Sequence, residues 1–77
     1  MMGDSPDQNE IDEVLSFYKS WLDEEYKNHG DRGIAIGVAT ERAQDDSYTG
    51  HTFSWLANND ASLIYDVDES LKDDILN

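Results

Sequence analysis

The chain has 77 residues with 18 acids against five bases, a formal charge of −13, and no cysteine. This describes one small acidic domain spanning 1–77, with a thin core. Disulfides, zinc thiolates and thiol nucleophiles are excluded, and the field repels nucleic acid and anionic membranes while attracting basic surfaces.

The start, MMGDSPDQNE, is polar and acidic and lacks the basic and apolar regions of a secretory signal. No apolar run approaches a membrane span. The expected location is cytoplasmic, in the host cell if the source is viral. Residues 1–4 are expected to be disordered. Ser5-Pro6-Asp7-Gln8 then reads as a helix start, with Ser5 as N-cap, Pro6 in the first helical position and Gln8 closing a capping box. Ile11, Val14, Leu15, Tyr18, Trp21, Leu22 and Tyr26 follow at spacings of three and four, the stripe of an amphipathic helix. Lys27 and His29 suit its last turn, and Gly30 suits the left-handed position that ends it. The expected helix runs over 6–28.

Gly-Asp-Arg-Gly at 30–33 reads as a turn. Ile34, Ile36 and Val38 alternate with Ala35, Gly37 and Ala39, which reads as a strand with one apolar face and one face of very small residues. Residues 44–50, QDDSYTG, form a loop. A second strand is expected over 52–56, with Phe53 and Trp55 on one face, and a third over 62–66. A competing reading makes one helix from Asp60, since Leu63, Ile64, Val67, Leu71 and Ile75 also fit helical spacing. With Asp66 and Glu69 as a capping pair for a short helix near Val67, the preferred outcome is an α+β fold. It is an α-β-β-β-α arrangement, with a long N-terminal helix packed on a three-stranded antiparallel sheet.

Residues 1–30 hold eight acids and two bases, and residues 58–77 hold six acids and one base. The terminal segments therefore carry the field. On the first helix Asp12 and Asp23 fall on one flank of the stripe, about 16 Å apart along the axis. Glu10, Glu13 and Glu24 fall toward the other flank, beside Phe17. Carboxylates spaced along a rigid rod can imitate a row of phosphates, and an aromatic amid rim charges has the anatomy of an interface anchor. Glu25 falls within the apolar stripe and is expected to reach water or pair with Arg32 or Lys27. Asp66, Glu69, Asp73 and Asp74 offer a second acidic ridge, continuous with the first if the two helices lie side by side. Packing of Phe17 under a strand or the C-terminal segment is the more common case for such a residue, and a solvated amphipathic tail is the more ordinary reading of the acidic end.

No nucleotide-binding, hydrolase or metalloprotease motif is present. His29 and His51 share no ligand spacing, and Asp66-x-Asp68-x-Ser70 lacks the glycine and closing glutamate of a calcium loop. The expectation is no enzyme, no cofactor and no metal. Five scattered bases also cannot neutralise a phosphate backbone, so direct nucleic-acid binding is not expected.

The leading expectation is an inhibitor of a basic, nucleic-acid-binding protein, acting by DNA or RNA mimicry. Its contacts are Asp12, Glu13, Asp23, Glu24, Asp66, Glu69, Asp73 and Asp74, with Phe17 as anchor. In size and charge alone the chain resembles the small acidic proteins that phages use against restriction or CRISPR machinery. One alternative is an immunity protein or antitoxin capping a basic toxin. Another is a structural or regulatory domain that forms a homodimer through sheet edges or the Ala35/Gly37/Ala39 face. Solubility also accounts for a negative surface. Asp outnumbers Glu by 12 to 6, as suits high salt, whereas an excess of Lys over Arg and plentiful large aromatics do not.

Overall fold

Helix formation begins at Asp7. Its carboxylate Oδ1 accepts from the Glu10 backbone N–H at 2.9 Å, and the first helix, α1, runs Gln8–His29. The cap expected at Ser5 therefore sits two residues further on, where a carboxylate also meets the positive end of the helix dipole. Gly30 ends α1 at φ 67° with its N–H bonded to the Tyr26 carbonyl, as the sequence leads one to expect. The computed structural model describes the backbone of residues 5–76 and the side chains of residues 5–70. Residues 1–4 lie outside it.

The turn is only two residues long. Asp31 caps the next helix, accepting from Ile34 N–H at 2.9 Å, and α2 runs Arg32–Asp45. After a short loop come α3, Gly50–Asn59, and α4, Ala61–Leu76. The described residues form four helices and no strand, so the α+β expectation is wrong and the fold is all-helical. All three expected strands, at 34–39, 52–56 and 62–66, are helical. The alternative helix from Asp60 is the one adopted, and Asp66 and Glu69 lie inside it rather than starting it.

The physical reason lies in the small residues. Ala35, Ala39 and Ala43 recur every four positions and are completely buried, while Ile34 remains half exposed. They form the inner stripe of α2, which packs chiefly on α1. Short side chains let the two helices approach closely, and alanine has the highest helix propensity. Ala35 and Ala39 thus serve this chain's own core. Gly37, expected on the same face, points away with open space around it. The expected dimer seam, built on sheet edges or on that face, does not exist.

Tyr18, Leu22, Phe53 and Leu56 are the largest apolar side chains at the centre, with Ile11, Val14, Tyr26 and Ile64 around them. Each such side chain contributes roughly 1.5–3 kcal/mol when fully buried. Among the described residues one polar side-chain link joins α1 and α4: Tyr18 O–H donates to Asp68 Oδ1 at 2.8 Å, and Asp68 is 5% exposed. Burial, then the Asp68 bond, pushes the Tyr18 phenol above its ordinary value.

The loop between α2 and α3 is tightly built. Asp46 Oδ1 accepts from the Tyr48 and Thr49 N–H groups at 2.8 and 3.1 Å, and buried Thr49 Oγ1 donates to the Ala43 carbonyl at 2.8 Å. Gly50 passes so near α2 that a Cβ there would lie 2.5 Å from the Gln44 carbonyl oxygen. Only glycine permits this entry into α3.

Candidate functional site

Beside its buried stripe α1 carries a second row: Glu13, Phe17, Trp21 and Glu24, spaced four, four and three residues apart. Such spacing stacks side chains along one face of a helix. The rigid α2–α3 loop delivers Tyr48 onto this row. The Tyr48 hydroxyl donates to Glu13 Oε1, and its ring meets Phe17 edge-on, with centroids 5.9 Å apart and planes at 81°. Phe17 in turn stacks on Trp21 at 5.7 Å and 28°. The Arg42 guanidinium lies 5.0 Å from the Trp21 ring centroid and donates to Glu24 Oε1 at 3.1 Å.

Phe17 and Tyr48 are 40% and 62% exposed. The result is an aromatic knob with carboxylates on one side and an Arg–Glu pair at its end. Glu10 joins Glu13 and Tyr48 around a shallow hollow that reaches Thr52 of α3. The bond to Glu13 raises the Tyr48 phenol above its ordinary value, and the charges of Glu13 and Glu10 act in the same direction.

Glu13, Phe17 and Glu24 are thus brought together as expected from the helical wheel. Among the described residues Phe17 meets no strand; its ring contacts are Trp21 and Tyr48. The other expected contacts lie elsewhere. Asp12 is exposed and accepts from Gln8 Nε2 at 2.9 Å. Asp23 pairs with Lys27 at 3.1 Å. Glu69 pairs with Arg32 at 2.9 Å, beside the start of α2, whereas Tyr48 follows the end of that helix. Since α2 is about 20 Å long, the two acidic ridges do not merge into one surface at these groups. Asp66 is exposed on α4, and the side chains of Asp73 and Asp74 lie outside the described residues.

Glu25, expected to meet water, Arg32 or Lys27, instead is buried and pairs with His29 at 3.0 Å and more loosely with Arg42 at 3.6 Å. Arg42 thereby holds both glutamates of α1's last turns while covering Trp21. Sequence reasoning missed Tyr48 and Arg42 as members of the site. The available signal was Tyr48 itself, a large aromatic in a loop of turn formers.

Among the described residues no group of three or more histidines and carboxylates could hold a metal ion, and no helix is long and apolar enough to cross a membrane. No protein-family model, curated protein or solved structure matches this chain.

Proposed function

We infer that this protein is a binding protein rather than an enzyme. It is a small acidic inhibitor that docks on a basic, nucleic-acid-binding protein and blocks it by charge mimicry. The observation that carries this reading is the Phe17–Tyr48 knob beside Glu10 and Glu13. An exposed aromatic anchor with a charged rim is the usual anatomy of an interface hot spot. Lys27, Arg32 and Arg42 are each ion-paired within the chain. Glu10, Asp12 and Glu13, in contrast, have no ion pair among the described residues. Arg or Lys side chains of a partner can therefore reach these carboxylates without competition from an ion pair among the described residues.

Such a partner works where nucleic acid is handled, in the cytoplasm, or in the host cytoplasm for a phage protein directed against restriction or CRISPR machinery. A basic toxin capped by an immunity protein presents the same chemistry and is distinguished by the identity of what binds.

The experiment is a competition. Basic nucleic-acid-binding proteins of the source cell are retained on the immobilised chain at low salt. They are then assayed for binding of a labelled DNA duplex or RNA strand as free chain is added. Mimicry requires that the chain displaces the nucleic acid and that its affinity falls steeply with salt. Phe17→Ala and Glu10→Lys should each weaken displacement with the fold intact. Simultaneous binding of chain and nucleic acid, or an affinity indifferent to salt, refutes the proposal.

A further inference from the structure

Away from the aromatic knob, the four helices leave a cavity of about 240 Å³ among Tyr18, Ile36, Phe53, Ile64, Tyr65 and Asp68. Its walls are largely apolar, and it opens beside Tyr65, which is 64% exposed, and the exposed Ala57. One group in it is out of keeping with such walls. Asp68 is 5% exposed, yet no cation pairs with it among the described residues. Arg32, whose charge acts on it, spends its described ion pair on Glu69 at 2.9 Å. Tyr18 satisfies Oδ1, while Oδ2 makes no hydrogen bond among the described residues and is not fully enclosed, so it stays reachable from the cavity.

A carboxylate this deeply placed is ordinarily matched by a positive charge or further donors, and its incompletely enclosed oxygen is where one can be supplied. Here a lining carboxylate has an open oxygen, aromatic rings beside it and apolar walls beyond. We propose that this cavity binds a small primary amine with a compact apolar body, its ammonium group on Asp68 and its body between Ile36, Phe53 and Ile64.

Three further considerations agree. An apolar cavity of about 150 Å³ takes up benzene, so about 240 Å³ suits a molecule the size of benzylamine. Tyr18, Phe53 and Tyr65 line the cavity, and aromatic faces attract a cation. The −13 field concentrates organic cations at the surface. The cavity is separate from the knob, so the proposal stands or falls independently of the inhibitor reading.

The test uses the full chain and five probes at matched ionic strength: benzylamine, benzyl alcohol, benzoate, ammonium chloride and a blocked lysine. Amide and side-chain NMR signals are followed during titration. Benzylamine should shift Ile36, Phe53, Ile64 and Asp68 saturably, about tenfold more tightly than benzyl alcohol, and benzoate and ammonium chloride should leave these signals in place. Asp68→Asn should remove the preference for amine over alcohol. Should that variant not fold, Ala57→Leu, at an exposed position of the rim, should fill the mouth and abolish binding. Equal shifts from ammonium chloride and benzylamine would mean charge screening and overturn the proposal, as would an Ala57→Leu variant that binds normally. A blocked lysine binding as tightly as benzylamine would assign the cavity to a protein side chain and likewise overturn it.

Discussion

Tyr18 and Asp68 are 50 residues apart in the chain and 2.8 Å apart in the fold. Their hydrogen bond crosses the core from α1 to α4 and is the one described side-chain hydrogen bond linking the first helix to the last. Removing the donor leaves a desolvated carboxylate without it. Tyr18→Phe should therefore cost about 1–3 kcal/mol in urea unfolding. Asp68→Asn keeps an acceptor for the phenol while removing the buried charge, and should cost less than Tyr18→Phe at neutral pH.

The same pair sets a pH dependence. Burial holds Asp68 above its ordinary carboxylate value, against the opposing effects of the Tyr18 bond and Arg32. In the window between the ordinary value and the raised one, the folded chain keeps a proton that the unfolded chain has lost. Stability from this group therefore grows as pH falls through that window and is lost as pH rises. Relief of the acidic self-repulsion acts in the same direction. The melting temperature should rise as pH falls from neutrality toward the ordinary carboxylate value, with a smaller rise in Asp68→Asn.

At alkaline pH the sign follows from Tyr18. Its folded phenol stays protonated above 10.0, the ordinary value, at which the unfolded phenol ionises. Stability should fall as pH rises beyond that point. Ultraviolet titration should show a late-ionising phenol that is missing in Tyr18→Phe.

Gly50→Ala should lower stability by about 1–3 kcal/mol, because the added methyl meets the Gln44 carbonyl of a backbone that cannot swing aside. Gly37→Ala is the internal control. A Cβ there touches nothing within 4 Å, and alanine in an exposed helix should add about 0.5–1 kcal/mol. Thermal unfolding of the two variants should move in opposite directions.

On the aromatic knob, Phe17→Ala removes two ring contacts at a half-exposed position and should cost about 1 kcal/mol in folding. Tyr48→Phe removes only the bond to Glu13 and should cost about 0.5 kcal/mol or less. If the knob is the anchor, Phe17→Ala weakens partner binding far beyond its effect on stability. A partner affinity that tracks stability alone would move the anchor elsewhere.

Much of α1 was legible before any coordinates. Its large apolar residues recur at three and four, and Gly30 supplies the stop, so local pattern and tertiary packing agree. The flank holding Glu13, Phe17 and Glu24 followed from the same geometry. α2 was not legible for the opposite reason. Its conspicuous residues, Ile34, Ile36 and Val38, alternate like a strand, while the stripe that packs consists of alanines at 35, 39 and 43. A helix that buries only methyl groups gives little apolar signal.

By itself, then, the sequence determined a long amphipathic first helix with its end, an excess of acid, and an aromatic beside one acidic flank. These rest on local spacing, backbone conformation and net charge, which need no partner segment. The tertiary structure decided that the remaining chain is helical: α1 offers a long surface against which the alanines of α2 pack closely, and α3 and α4 turn Phe53, Leu56 and Ile64 onto the same core. It also decided which acids are neutralised. Glu24 meets Arg42 and Glu69 meets Arg32 only because helices distant in sequence are brought side by side. Tyr48 reaches Glu13 and Phe17 only because Asp46, Thr49 and Gly50 hold its loop against the end of α2.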